Sequence, residues 1–230
     1  MIIHDIQIAP SLLSANFANL AEDIRLCDEG GADIIHVDVM DGHFVPNLTI
    51  GPLIVEAIRP LTKIPIACHL MISDPAKYIP EFVKAGADYI SVHAEGLIHI
   101  HRTLSLIKSF GIKSGLALNP ATPLNFAFDS AEHCDYVLLM SVDPGFGGQK
   151  FIPTFLKRAE TLRDYLVRSG LDHVPIEVDG GVNKDNAADI VRAGASMLVS
   201  GSALFKGDLI QNIKELRRRA ENARTQGLMF

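Results

Sequence analysis

Short apolar segments alternate with amphipathic ones from one end of the chain to the other, and that rhythm leaves few folds open. The apolar segments are 6–12 (IQIAPSL), 33–40 (DIIHVDVM), 64–71 (IPIACHLM) and 88–94 (DYISVHA), then 113–119 (KSGLALN), 135–142 (DYVLLMSV), 175–181 (PIEVDGG) and 196–201 (SMLVSG). Each is strand-sized, and each gap is long enough for a helix. Parallel strands read this way, because a parallel pair needs a helical crossover rather than a hairpin. The gaps carry the helical period. Phe17, Leu20, Ile24 and Cys27 share a face of the first, and Leu156, Ala159, Leu162 and Leu166 share one in the sixth. Leu209, Ile213, Leu216 and Ala220 do so in the last. An internal echo supports the count. Gly-Ala-Asp stands at 31–33 and 86–88 and Gly-Ala-Ser at 194–196, each where a helix gives way to a strand. Glycine there suits a helix end. Eight β/α units fill residues 1–230 and leave nothing for a second domain. The expected architecture is therefore α/β, a single (β/α)8 TIM barrel. An open doubly wound sheet is the alternative, but APSLLSANF after the first strand lacks the glycine-rich turn of a dinucleotide fold.

With 48% hydrophobic residues the chain can build a full core, and a formal net charge of -6 argues against nucleic acid as a partner. Small anions stay open, because backbone N–H groups bind phosphate without lysine or arginine. Three cysteines, Cys27, Cys68 and Cys134, do not make a disulfide framework, so the expected compartment is the cytoplasm. MIIHDIQIAP has no basic n-region, and no apolar run reaches membrane length, so neither secretion nor a membrane partner is expected.

Strand side chains alternate faces. In 33–40, Ile35, Val37 and Val39 oppose His36, Asp38 and Met40. In 64–71, Ile66, Cys68 and Leu70 oppose Ala67, His69 and Met71, and in 175–181, Ile176 and Val178 oppose Glu177 and Asp179. The apolar face suits covering helices. The other face then points into the barrel, where a charge is costly unless it is paired or bound to metal. His36, Asp38, His69 and Asp179 lie toward the C-terminal strand ends, where barrel enzymes place their sites. Two imidazoles and two carboxylates form a candidate site for one divalent cation: Zn²⁺, Fe²⁺, Mn²⁺ or Co²⁺. Spacing leaves a hydrogen-bonded polar core open as the other reading. His99, His101, His133 and His173 read as solvated, His43 as a loop residue, and His93 as packing or as support behind a site. Met40, Met71 and Met140 are core filler or a dry wall around a reactive intermediate.

Glycine-rich turns follow the last three strands: Asp143-Pro144-Gly145-Phe146-Gly147-Gly148-Gln149, then Gly180-Gly181, then Gly201-Ser202. Such turns let backbone N–H groups approach an anion, and the loops after strands seven and eight are a recurrent phosphate site in barrels. Residues 143–150 are also a candidate lid.

APSLLSANF, HVDVMDGHFVPNLTIGP, HLM, NPATP, LLMSVDPGFGGQKFIP, EVDGGVN and GSALF, in that order, closely resemble the ribulose-phosphate 3-epimerase family from residue 8 to about 205. The resemblance implies a TIM barrel that interconverts D-ribulose 5-phosphate and D-xylulose 5-phosphate at C3. It implies metal ligands at His36, Asp38, His69 and Asp179, with Asp38 and Asp179 as the acid/base pair. It implies that Ser11 and His69 touch the substrate. Phosphate contacts would come from Gly145, Phe146, Gly147, Gly148, Gly180, Gly181, Gly201 and Ser202, and the active-site wall from Met40, Met71 and Met140. Asn16 and Ala94 stand where the family pattern has Asp and Pro. A homo-oligomer is expected, since such barrels are commonly dimers or larger. The rival readings are an epimerase of a ketohexose 6-phosphate such as D-allulose 6-phosphate and a non-catalytic metal- and phosphate-binding barrel. A decarboxylase with D-x-K-x-x-D is disfavoured, because Met40 occupies the lysine position.

Overall fold

The computed structural model describes residues 4–227, so the outer three residues at each end of the expected 1–230 barrel lie outside the described residues. The strands are β1 (Gln7–Pro10), β2 (Ile35–Met40), β3 (Ile66–Met71) and β4 (Tyr89–His93), then β5 (Lys113–Leu118), β6 (Tyr136–Met140), β7 (Ile176–Asp179) and β8 (Met197–Ser200). They form one parallel sheet in the order β1-β8-β7-β6-β5-β4-β3-β2. The remaining seam, β1 against β2, is closed by Asp33 N–H and Ile34 N–H donating to the Ile8 carbonyl at 3.0 and 3.4 Å, and by a bridge between Ser11 and His36. The expected TIM barrel is therefore the fold. Its helices are α1 (Leu20–Gly30), α2 (Pro52–Ile58), α3 (Pro75–Ala85), α4 (Ile100–Ser109), α5 (Asn125–Phe128) and α6 (Thr154–Arg168), then α7 (Ala187–Arg192), α8 (Ser202–Phe205) and α9 (Leu209–Gly227). Among the described residues no helix is long and apolar enough to cross a membrane.

The alternation along each strand divides the core. Ile35, Val37, Ile66, Cys68, Leu70, Ile176 and Val178 pack outward with the helices, beside Ile24, Cys27, Leu162 and Ile213. Ala67, Leu138, Met140, Met197 and Val199 fill the barrel interior. Two expectations shift at element ends. Phe17 is 46% exposed and lies outside α1. The Asn16 side chain accepts from Ala18 N–H, which makes a separate turn of Phe17–Asn19 and starts the helix at Leu20. Strand seven stops at Asp179 because Gly180 and Gly181 have φ of 119° and 64°, outside any strand conformation.

The Gly-Ala-Asp echo has a physical basis. Gly31 and Gly86 end α1 and α3 in the left-handed conformation, at φ 79° and 104°. Two residues on, the aspartate accepts an N–H from the preceding strand: Ile8 N–H to Asp33 at 2.7 Å and Ile66 N–H to Asp88 at 2.9 Å. Asp135 repeats the clamp on Ser114 N–H at 2.9 Å. Arg217 then pairs with Asp33, and Arg59 with Asp88 at 2.8 Å. At 194–196 the third residue is Ser196, which cannot offer a carboxylate. Asp88→Ala leaves the Ile66 N–H without its partner at a residue with no exposed surface. The expected loss is about 1–3 kcal/mol, read as a lower urea midpoint at unchanged m-value. An unchanged midpoint would remove the clamp from the account.

Candidate active site

Register brings the inward polar groups together. β2 and β3 pair so that Asp38 sits beside His69 and Met40 beside Met71. β6 and β7 pair Met140 with Asp179, and the bridge across the seam pairs Ser11 with His36. The inward faces of β2, β3 and β7 thereby meet at one point. His36 Nε2 lies 3.4 Å from Asp38 Oδ1 and 3.7 Å from Asp179 Oδ2. His69 Nδ1 lies 3.4 Å from each of the same two carboxylates. One donor atom from each of the four residues falls within 4.8 Å of all the others.

These separations decide how the cluster is read. They are too long for hydrogen bonds, and both His36 nitrogens and His69 Nδ1 are buried without a hydrogen-bond partner. Nitrogens buried in that state are costly as a simple polar core. Two ligands at about 2.1 Å from a tetrahedral ion lie about 3.4 Å apart, so the donor set fits a divalent cation. Burial opposes a charge on Asp38, yet the facing His36 and His69 imidazoles hold its carboxyl well below the ordinary carboxylate range. Ser11 Oγ donates to Asp38 Oδ2 at 2.6 Å and fixes the carboxylate plane. Burial also opposes charge on His36 and His69, but the aspartates outweigh it and both imidazoles are pushed up.

Above this cluster opens a cleft. Asp38, Asp179, Ser11 and the three methionines Met40, Met71 and Met140 line it, together with Gly145, Phe146, Gly147, Gly148, Gly180, Gly181, Gly201 and Ser202. His36 and His69 are fully buried and do not line it. The 143–150 turn is braced by Gln149, whose amide donates to the Asp143 and Phe146 carbonyls at 2.6 and 2.9 Å. Asn47 ties it to the opposite rim through the Gly145 carbonyl at 2.8 Å. The lining also includes Pro144 and Gln149 of that turn, and Leu13, Ser14, Val142, Val182 and Val199, which the sequence alone did not mark out. Ser14 sits in a short turn with no periodic signal. Glu177 was visible on the inward face of strand seven and turns out to face His36 Nδ1 at 3.6 Å while itself fully buried. His43, His99, His101 and His173 are exposed, and His133 is half-exposed beside His101. His93 is buried against His69, and Glu95 beyond it carried no periodic signal at all.

The chain has close relatives across this whole architecture. The Ribulose-phosphate 3 epimerase family matches residues 7–205. The ribulose-phosphate 3-epimerase of Bacillus subtilis is 53% identical over 213 residues, covering 92% of this chain and 98% of that protein. That of Synechocystis is 55% identical over 203 residues, 87% of this chain and 88% of its relative. The chloroplastic ribulose-5-phosphate-3-epimerase of Arabidopsis thaliana is 50% identical over 222 residues, 94% of this chain and 79% of its own. Among solved structures, the 3-keto-L-gulonate-6-phosphate decarboxylase of Vibrio cholerae superposes with a TM-score of 0.71 at 14% identity, covering 95% of this chain and 99% of the other. At that identity the likeness is one of fold. A match that runs from β1 past β8, at half of all positions with named epimerases, makes this barrel a member of the ribulose-phosphate 3-epimerase family, a family of isomerases.

Proposed function

We propose that the chain interconverts D-ribulose 5-phosphate and D-xylulose 5-phosphate by removing the C3 proton from one face of the sugar and returning one to the other. The observation that carries this is the convergence of Asp38 and Asp179, from β2 and β7, on the floor of one cleft. Two carboxylates from different strands can flank a planar enediolate; a single base cannot serve both faces. One aspartate acts as base and the other as acid, and the roles exchange with direction. The neighbouring imidazoles keep the Asp38 carboxyl ionised, the form a base must start from, and the Ser11 hydroxyl holds its aim. Met40, Met71 and Met140 give the proton-transfer zone an apolar wall that excludes competing water. The glycine turns at Gly145 to Gly148, Gly180, Gly181 and Gly201 to Ser202 bind the phosphate through backbone N–H groups, and that remote binding energy positions C3. A divalent cation held by His36, Asp38, His69 and Asp179, of the class Zn²⁺, Fe²⁺, Mn²⁺ or Co²⁺, supplies electrostatic stabilisation of the negative charge that develops on the sugar.

In this reading residues 1–230 act as one catalytic barrel in the cytoplasm, with three unpaired buried cysteines as support for a reducing compartment. Assembly with further copies of the chain is part of the proposal; Leu48 and Leu53, each 76% exposed, offer apolar surface for it.

A proton NMR time course with ribulose 5-phosphate in D₂O tests the reading, before and after chelation. Xylulose 5-phosphate with deuterium at C3, formed until the chelator is added, is the expected result. Turnover that survives verified metal removal would refute the metal role. Turnover of allulose 6-phosphate with none of the pentulose phosphate would replace the substrate.

A further inference from the structure

His69 faces the two aspartates with Nδ1, at 3.4 Å from each. Its other nitrogen, Nε2, lies 2.8 Å from Nε2 of His93. One of those two nitrogens donates and the other accepts. Beyond them, His93 Nδ1 lies 3.0 Å from Glu95 Oε2. The remaining oxygen, Glu95 Oε1, accepts from the Asn119 backbone N–H at 2.7 Å and from the Thr122 hydroxyl. A carboxylate has no proton to give, so His93 Nδ1 must be the donor to Glu95. His93 Nε2 is then the acceptor, and His69 Nε2 carries the proton. In the neutral ring, His69 Nδ1 is then the nitrogen with the lone pair, and it is aimed between Asp38 and Asp179. The direction of every hydrogen bond in this line follows from the charge at its far end.

We propose that Glu95, acting through His93, is the positioning residue that holds His69 in its Nε2–H tautomer and so leaves Nδ1 free to ligate a divalent cation. The inference rests on the metal reading given above. It also gives a role to the NPATP turn at 119–123, which the cleft does not use: Asn119 and Thr122 grip the oxygen that does not face His93. The Phe44 ring, with its centroid 4.9 Å from that of His93, covers the relay on one side. The partner ligand has a counterpart, since Glu177 faces His36 Nδ1 and leaves His36 Nε2 toward the aspartates. The two histidines thus present opposite nitrogens to one point, each with a carboxylate on its far side. An outer hydrogen bond like the one His69 makes to His93 sets the tautomer and orientation of a metal-binding imidazole.

Two substitutions at one position separate this relay from simple packing. In Glu95→Ala the polarity of the line is lost, and His69 samples both tautomers. In Glu95→Gln the new amide oxygen keeps the Asn119 and Thr122 hydrogen bonds, so the amide N–H turns toward His93. That reverses every donor and acceptor in the line and places the proton on His69 Nδ1, where it blocks a ligand position. The Zn²⁺ dissociation constant, measured by competition with a chromophoric chelator, is expected to rise about 10–100-fold in Glu95→Ala. In Glu95→Gln, the closer mimic in shape, it is expected to rise further. Histidine ¹⁵N NMR of the metal-free chain, with the pH raised until the His69 ring has lost its second proton, gives the second readout. The expected signals are Nε2–H for His69 in the unaltered chain and Nδ1–H in Glu95→Gln. A Glu95→Gln protein milder than Glu95→Ala, or an unchanged His69 tautomer, would overturn the relay. An unaltered chain that binds no Zn²⁺ refutes the metal reading, and the NMR result then decides the relay by itself. Should Glu95→Ala fail to fold, the tautomer in Glu95→Gln carries the decision.

Discussion

Asp38→Asn and Asp179→Asn are each expected to lower kcat for the epimerisation by about 10⁴-fold, at the upper end of what one acid/base group supplies. Each substitution removes a proton carrier and, in the same atom, a charged ligand from the four-residue cluster. The loss should fall on kcat rather than on KM, because the phosphate turns lie elsewhere in the cleft. Amide for carboxylate is nearly isosteric, so circular dichroism and the thermal transition should stay those of a folded barrel. Ser11 donates to Asp38 Oδ2, and an amide oxygen in that place can still accept. Near-normal turnover in either protein would dismantle the two-carboxylate mechanism. A control with Met140→Leu, which keeps the apolar wall and no proton chemistry, should retain most of the rate.

The second large effect concerns Gly180, directly after Asp179. Its φ is 119°, a region that costs a side-chain-bearing residue about 1–3 kcal/mol. An added Cβ would also lie 2.5 Å from Val142 Cγ2 and 2.9 Å from the Val142 backbone nitrogen. Overpacking of that kind costs about 1–3 kcal/mol more. Gly180→Ala is therefore expected to lose about 2–6 kcal/mol by urea unfolding and to raise KM for the sugar phosphate. The double change Gly180→Ala with Val142→Ala removes the side-chain clash but leaves the backbone conflict, so it should recover only part of the loss. Full recovery would show that the strain lies in the valine contact and not in the turn.

How much of this was legible beforehand differs from residue to residue. His36, Asp38, His69 and Asp179 stood out because each breaks the apolar rule on the inward face of a strand, and period-two alternation is a local property. Met40, Met71 and Met140 break no apolar rule and read as core filler or wall alike; only the family resemblance assigned them to the wall. Phe17 falls outside its expected helix, because a side chain on Asn16 captured the local backbone and moved the helix start past it. Glu95 was invisible, since it lies in the turn Ala94–Gly96, where no period applies, and its anchor Asn119 is remote in sequence.

Hydrophobic period, glycine punctuation and strand count are properties of neighbours in the chain, and by themselves they determined the barrel, its inward faces and the end at which the polar groups gather. The tertiary structure alone decided which atoms meet. Whether Asp38 stands beside His69 or one pleat away depends on the register between β2 and β3, and on the stagger that closes β1 against β2. Register is fixed by long-range contacts such as the aspartate clamps at Asp33, Asp88 and Asp135. A shift of one residue would send every inward side chain outward.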